Sequence, residues 1–228
     1  MKEYVKQFEK NSYVIVKNFI DNNLANIFYF HVMQNAKRAL FIESEQGDGY
    51  DKKRYGEFTD TQAYGDFSMY GNPIFDDFAE VALDNMQLIT GKELTCTYTY
   101  HRLYTTDTEL TKHKDRASCE ISTTLFLGSN MTNTDDKKWP MFVLSNGKEV
   151  RCDLDPGDMI VYRGCDIEHW REPFKGINHA QLFMHYNEKG GKYDIKYDGR
   201  PIMGLDSNYK AEIDKPVTDD ENYKRVIF

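Results

Sequence analysis

No run of apolar residues in this sequence approaches the roughly 20 needed to cross a bilayer, so a helical membrane span is excluded. The opening stretch, MKEYVKQFEK, is charged where a signal peptide would have an apolar centre. There is no CxxC pair: Cys96, Cys119, Cys152 and Cys165 stand far apart, which reads as free thiols in a reducing cytoplasm. Basic excess is missing too. With 29 Lys and Arg against 37 Asp and Glu the formal charge is −8, which argues against a general affinity for nucleic acid or an anionic membrane surface. Internal repeats and low-complexity stretches are absent. What remains is a soluble globular chain expected in the cytoplasm.

Aromatic residues are abundant. They make up 14% of the 228 residues, with 16 Tyr and 14 Phe, and they favour the half-buried face of a pleated sheet. The length suits one well-buried core, so residues 1–228 are expected to form a single domain. Residues 1–92 read as an N-terminal strand with supporting helices, 93–187 as the core, and 188–228 as a charged extension that serves as a lid, an arm or a disordered tail. A strand is expected at 12–20. Asp21 then caps a helix carrying Leu24, Ile27, Phe28 and Met33. Residues 44–71 read as a long polar loop. Asn72-Pro73 resembles an N-cap followed by proline in the first turn, opening a second helix. Its expected inner face holds Ile74, Phe78, Val81, Ala82 and Met86, and Gly91 ends it.

From Leu94 the period changes to two. Strands are expected at 94–104, 118–128, 141–145, 148–154, 158–163 and 179–186, with a hairpin turn at Asn146-Gly147 and another turn at Pro156-Gly157-Asp158. The fold class is therefore mainly β with flanking helices (α+β), its core a sandwich or jelly roll.

The segment LTKHKDR carries the chemistry. Positions i and i+2 of a strand face one way, so His113 and Asp115 can aim an imidazole and a carboxylate at one point. Two imidazoles and one carboxylate on one face, with open positions opposite, suit non-haem iron(II). His169 follows the turn and apolar strand of PGDMIVYRGCDIEHW, and a jelly roll can return it beside the earlier pair. The other histidines read differently: His31 as a helix surface or core-edge residue, His185 as a packed strand histidine. His101 lies opposite the strand face shared by Tyr98, Tyr100, Arg102 and Tyr104.

The runs YTYHRLYTTDTELTKHKDRASCEISTTLFLG, DPGDMIVYRGCDIEHWREPFKG and HAQLFMHY together resemble the 2-oxoglutarate/iron(II) oxygenase superfamily. The similarity is greatest to its prolyl-4-hydroxylase-like branch in the form found in bacteria and phages. It covers roughly residues 70–187, and weakly 12–40. The resemblance implies a double-stranded β-helix, the jelly-roll or cupin-like core, with His113, Asp115 and His169 as metal ligands and catalytic centre. It implies Fe(II), 2-oxoglutarate as co-substrate and O2, with release of succinate and CO2 and hydroxylation of a substrate. The substrate it implies is a peptide, with a prolyl residue the leading candidate, or a small molecule.

Halogenating relatives lack the carboxylate that Asp115 supplies, so hydroxylation is the expected outcome. The family's Arg or Lys beyond the second metal histidine, which holds the far carboxylate of 2-oxoglutarate, is replaced here by His179. The anchor is therefore expected from Tyr104, then Arg171, with Arg102 and His179 behind them. Two competing readings are a cupin-type metalloprotein and a non-catalytic jelly-roll binding module.

Overall fold

The computed structural model describes residues 2–135 and 137–210. Its framework follows from the alternation of side chains that begins at Leu94. Strand β3 (Leu94–Thr105) turns Tyr98, Tyr100, Arg102 and Tyr104 inward, as the sequence pattern expects, and β10 (Asn178–Glu188) pairs antiparallel with it over its whole length. These two are central in a six-stranded antiparallel sheet of order β1-β8-β5-β10-β3-β2. The other members are β1 (Tyr13–Val16), β2 (Phe67–Tyr70), β5 (Ile121–Asn130) and β8 (Met159–Arg163). A second sheet, β4-β9-β6-β7, is built from β4 (Leu110–His113), β6 (Met141–Ser145), β7 (Lys148–Cys152) and β9 (His169–Arg171). The expected strands are present with shifted ends, and β4 and β9 are added to them. Asn146 (φ 50°) and Gly147 (φ 73°) supply the two left-handed residues that a tight β6–β7 hairpin needs.

One face of the large sheet is dry and covered by helices. Leu125, Leu127, Val161, Leu182 and Met184 pack there against α1 (Lys2–Asn11), α2 (Asn22–Gln46) and α4 (Pro73–Thr90). Each large apolar side chain fully buried in this layer contributes about 1.5–3 kcal/mol. Asp21 caps α2 by accepting from Leu24 N at 2.8 Å, and Asn72 caps α4 by accepting from Ile74 N at 3.1 Å. Gly91, at φ 71°, stops α4. The opposite face of the large sheet meets the smaller sheet, and the space between the two holds the candidate site.

Three local expectations give way to the tertiary structure. The inner stripe of α4 is Phe75, Ala79, Ala82, Met86 and Ile89, while Ile74 and Val81 face outward at 49% and 77% exposure. The small Ala79 lets the helix lie close enough for its carbonyl to accept from the Tyr186 hydroxyl at 2.9 Å. Ile27 of α2 is likewise outward, at 62% exposure. Residues 44–71 are not one loop: α2 runs to Gln46, α3 (Lys52–Tyr55) follows, and β2 adds to the edge of β3. Four residues are too few to show alternation, and backbone pairing with β3 is what makes them a strand. Helix α1 occupies most of the charged opening stretch, for which the sequence pattern predicts no element, and it buries Phe8.

Residues 192–210 of the expected extension form an arm folded back on the barrel, while residues 211–228 lie outside the described residues, as does Asp136. Buried Asp198 accepts from Arg116 through both terminal nitrogens (2.9 and 2.7 Å), from Ser118 Oγ (2.6 Å) and from the Tyr70 hydroxyl (2.9 Å). Two residues on, Arg200 pairs with Asp76 of α4 at 2.7 Å, both side chains fully buried, and also donates to Thr97 O at 3.1 Å. A buried charge is tolerated only when it is paired and hydrogen-bonded, and these are.

Candidate metal centre

Antiparallel pairing of β4 with β9 puts His113 directly opposite His169, with ring centroids 4.3 Å apart. Asp115 lies two residues beyond His113, where its backbone N donates to Gly164 O at 2.9 Å. One ligand atom from each of the three residues falls within 4.8 Å of the others. Among the described residues this is the one cluster of His, Cys or carboxylate groups with that property.

Backbone carbonyls set the imidazoles. His113 Nδ1 donates to Thr111 O at 2.7 Å and His169 Nδ1 donates to Ile167 O at 3.2 Å, so Nε2 is the atom each ring can offer to a metal. Both Nε2 atoms face Asp115 Oδ1, at 3.9 and 3.4 Å. The other carboxylate oxygen, Oδ2, accepts from Ser122 Oγ at 2.7 Å. Burial pushes the His113 pKa down and the neighbouring His169 adds to this, so the ring is neutral at physiological pH, as a metal ligand must be. Burial opposes ionisation of Asp115, but the His169 ring and the Ser122 hydroxyl outweigh it and hold the carboxyl well below its usual range.

The backbone beside Asp115 is tightly fitted. A Cβ added at Gly164 would collide with Asp115 Oδ2, the Cys119 carbonyl and Ser122 Oγ. Gly164→Ala is therefore expected to weaken metal affinity by about 10–100-fold, the loss typical when a group supporting a ligand is displaced. Overpacking adds about 1–3 kcal/mol of destabilisation. Competition with a chelator measures the first effect and urea unfolding the second; unchanged affinity would mean that Asp115 is not a ligand.

The three residues lie at one end of a cavity of about 360 Å³, whose walls include Tyr98, Tyr100, Thr124, Tyr162 and Arg171. Arg171 is two residues from His169 on β9, both are buried, and the alternation of the strand points both inward. Its guanidinium donates to Trp139 O at 2.6 Å and stacks 4.7 Å over the Trp139 ring. No carboxylate among the described residues pairs with it, and burial pushes its pKa down to about 10. Nearby, the buried Tyr104 hydroxyl and Thr124 Oγ1 lack a well-formed hydrogen-bond partner. A buried guanidinium with no carboxylate partner among the described residues, close to the Tyr104 hydroxyl, has the chemistry to receive an anion.

Arg102 and His179 have other surroundings. Arg102 is already neutralised: it meets Asp60 at 2.5 Å and donates to Gln62 Oε1 at 2.8 Å. Burial works against the Asp60 charge, but Arg102 holds its carboxyl below the ordinary range. Asp60 and Gln62 belong to a stretch between Gly56 and Gly65, both at positive φ, that forms one side of the cavity. His179 does not reach the cavity. It stacks flat on Phe126 at 4.3 Å and packs against Trp139 and Phe174, and burial drives its pKa far down, so it is a neutral aromatic in the core.

Sequence reasoning did not find Asp60, Gln62, Ser122, Gly164 or the cavity position of His185. Ser122 shares the alternation of Thr124 within ISTTLFLG, which was the one available signal. The loop residues offered none.

No protein-family model matches the sequence, and no curated protein does. Solved structures do match. A prolyl-4-hydroxylase from Pseudomonas putida is 15% identical and superposes with a TM-score of 0.56 over 82% of this chain and 97% of that one. HygX from Streptomyces hygroscopicus, with nickel, 2-oxoglutarate and hygromycin B bound, is 8% identical with a TM-score of 0.61 over 86% and 89%. A prolyl hydroxylase from Trichoplax adhaerens, in complex with a hypoxia inducible factor peptide fragment, is 14% identical with a TM-score of 0.56 over 86% and 92%. At such identities the likeness is one of architecture. The chain has the double-stranded β-helix fold shared by these 2-oxoglutarate oxygenase structures.

Proposed function

We propose that this protein is an iron(II)- and 2-oxoglutarate-dependent dioxygenase that hydroxylates a substrate held in the cavity. One observation carries the reading: three metal-ligating side chains and a buried, carboxylate-free arginine sit on a single cavity. The donor set fits the pair of groups. His113, Asp115 and His169 would hold the metal, with positions left open for the co-substrate. Arg171 would take the far carboxylate of 2-oxoglutarate, with Tyr104 and Thr124 supplying hydroxyls beside it. Metal and co-substrate together supply oxidising power from O2, while 2-oxoglutarate leaves as succinate and CO2.

The chain's own part is to position and to exclude water. The carbonyls of Thr111 and Ile167 keep both Nε2 lone pairs free, and Ser122 fixes the carboxylate. Asp60 and Gln62 bind Arg102 and screen the cavity from solvent. A cupin-type site would be expected to draw on more histidines, and no fourth ligand joins this cluster among the described residues. A purely structural metal would close its coordination with protein ligands, and three ligands leave it open.

A peptide, with a prolyl residue as the first candidate, is the substrate class we favour; the Trichoplax adhaerens complex supports a peptide in a cavity of this fold. The free cysteines support a reducing, cytoplasmic setting. No helix among the described residues is long and apolar enough to cross a membrane.

Anaerobic titration of the purified protein with iron(II) and 2-oxoglutarate tests the reading. A weak visible charge-transfer band is expected only when both are present, and oxygen should then yield succinate. Tight metal binding with no band and no succinate would instead favour the cupin-type or binding reading.

A further inference from the structure

His185 reads in the sequence as a packed strand histidine, yet its ring lies on the cavity wall. It stands across from Tyr98 in the β3–β10 pairing, with ring centroids 4.5 Å apart, and across from Ser122 in the β5–β10 pairing. Besides the Tyr162 hydroxyl, Ser122 Oγ meets three groups at hydrogen-bond distance: Asp115 Oδ2 at 2.7 Å, the Cys119 carbonyl at 3.0 Å and His185 Nδ1 at 3.1 Å.

A serine hydroxyl has one proton, and two of these three neighbours only accept. Were that proton turned toward His185, a lone pair would face both the carboxylate and the carbonyl. It therefore points at the oxygens, and His185 Nδ1 must donate to Ser122. Burial, with the Asp115 charge opposing it, pushes the His185 pKa down to about 4, so the ring has one proton and Nδ1 holds it. Nε2 is left as a bare lone pair. No described residue bonds to it, and it is not among the sealed, partnerless atoms. The other strong acceptors nearby are taken: Asp60 and Gln62 by Arg102, Asp115 by Ser122 and the metal site.

We propose that His185 is a substrate-binding residue whose Nε2 accepts a hydrogen bond, so that the substrate has an N–H or O–H donor near the carbon presented to the metal centre. The word substrate here rests on the dioxygenase reading; the acceptor itself does not. A substrate with no N–H or O–H within reach would leave Nε2 desolvated without a partner, which costs about 1–3 kcal/mol; a prolyl nitrogen carries no proton, so in a prolyl peptide the donor would be the N–H of a neighbouring residue. The site therefore selects a secondary amide, an amine or an alcohol over an isosteric group lacking the proton.

The test is a long-range proton–nitrogen NMR correlation on the full chain with labelled histidine rings, loaded with closed-shell zinc(II) and 2-oxoglutarate and repeated without either. The His185 resonances are assigned through coupling to the residue's own Cβ. The expected pattern is a neutral ring protonated at Nδ1 in both samples. Acetamide is expected to shift the Nε2 resonance, whereas N,N-dimethylacetamide, which has no N–H, leaves it in place. A ring protonated at Nε2 overturns the proposal, as does an equal response to both amides. Because the tautomer is read with and without ligands, a missing chelate band would sink the dioxygenase reading and leave this result standing.

Discussion

Asp115→Ala is expected to abolish tight metal binding while leaving the fold intact. In the proposed centre the carboxylate would be the one anionic ligand, and its removal would leave two imidazoles, too few to hold a divalent ion against water. The loss should exceed the roughly 10–100-fold typical of an outer supporting group. Ser122 Oγ keeps the Cys119 carbonyl at 3.0 Å as an acceptor, so the backbone around the site stays satisfied. Asp115→Asn separates charge from shape, because the amide oxygen can still accept from Ser122 while the anion is gone. Calorimetric titration with iron(II) or zinc(II) reads the effect directly. In the wild type, saturating metal should also raise the melting temperature, since a ligand that binds only the folded chain stabilises it by mass action. Both variants should lose that rise. If Asp115→Asn binds metal as tightly as the wild type, the three residues are not a metal centre.

Arg171→Met is expected to lower affinity for 2-oxoglutarate by about a hundredfold or more, with metal affinity unchanged. Removing one partner of a buried, hydrogen-bonded charge pair costs about 2–5 kcal/mol, and tenfold in affinity is about 1.4 kcal/mol. The same substitution should not destabilise the ligand-free protein much. Its guanidinium is buried without a carboxylate, and a methionine of similar length removes an uncompensated charge at the expense of one bond to the Trp139 carbonyl. A variant that binds the co-substrate far more weakly yet unfolds near the wild-type urea midpoint is the signature of a charge kept for a ligand. Should 2-oxoglutarate bind normally, another residue is the anchor, and Tyr104, packed beside Arg171, becomes the next to change.

The parts of the site that could be read in the sequence are those set by local geometry. Strand alternation joins His169 to Arg171; it pointed to the pair His113 and Asp115 as well, although β4 ends at His113 and Asp115 is held just beyond it by its bond to Gly164 O. Asn72-Pro73 and Gly91 bound α4 as their backbone preferences dictate. Other features depend on partners far along the chain, which no local pattern encodes. Asp60 reaches Arg102 across 42 positions, and the inward pull on α4 comes in part from Asp76, whose partner Arg200 is 124 positions away. Phe75 and Ala79, on either side of Asp76, lie on the inner stripe, with Ile74 and Val81 outside. His179 shows a different limit. Its position suggested a co-substrate anchor, but only the stacking partners Phe126 and Trp139 reveal a neutral ring in the core.

The folded-back arm has a consequence for how the protein is made. Asp198 closes on Arg116, the residue next to Asp115, and Arg200 closes on Asp76. A nascent chain emerges from its N-terminus, so Arg116 and Asp76 wait through the synthesis of some 80 to 120 further residues for their counter-charges. Until the arm docks, Asp76 lacks the counter-charge of a position that is fully buried in the finished fold, and the half-built barrel remains open and vulnerable to proteases. Docking of the arm is thus the late step that commits the chain to its native state. A ribosome that stalls before residue 198 would release a product marked for degradation, not a partly active one.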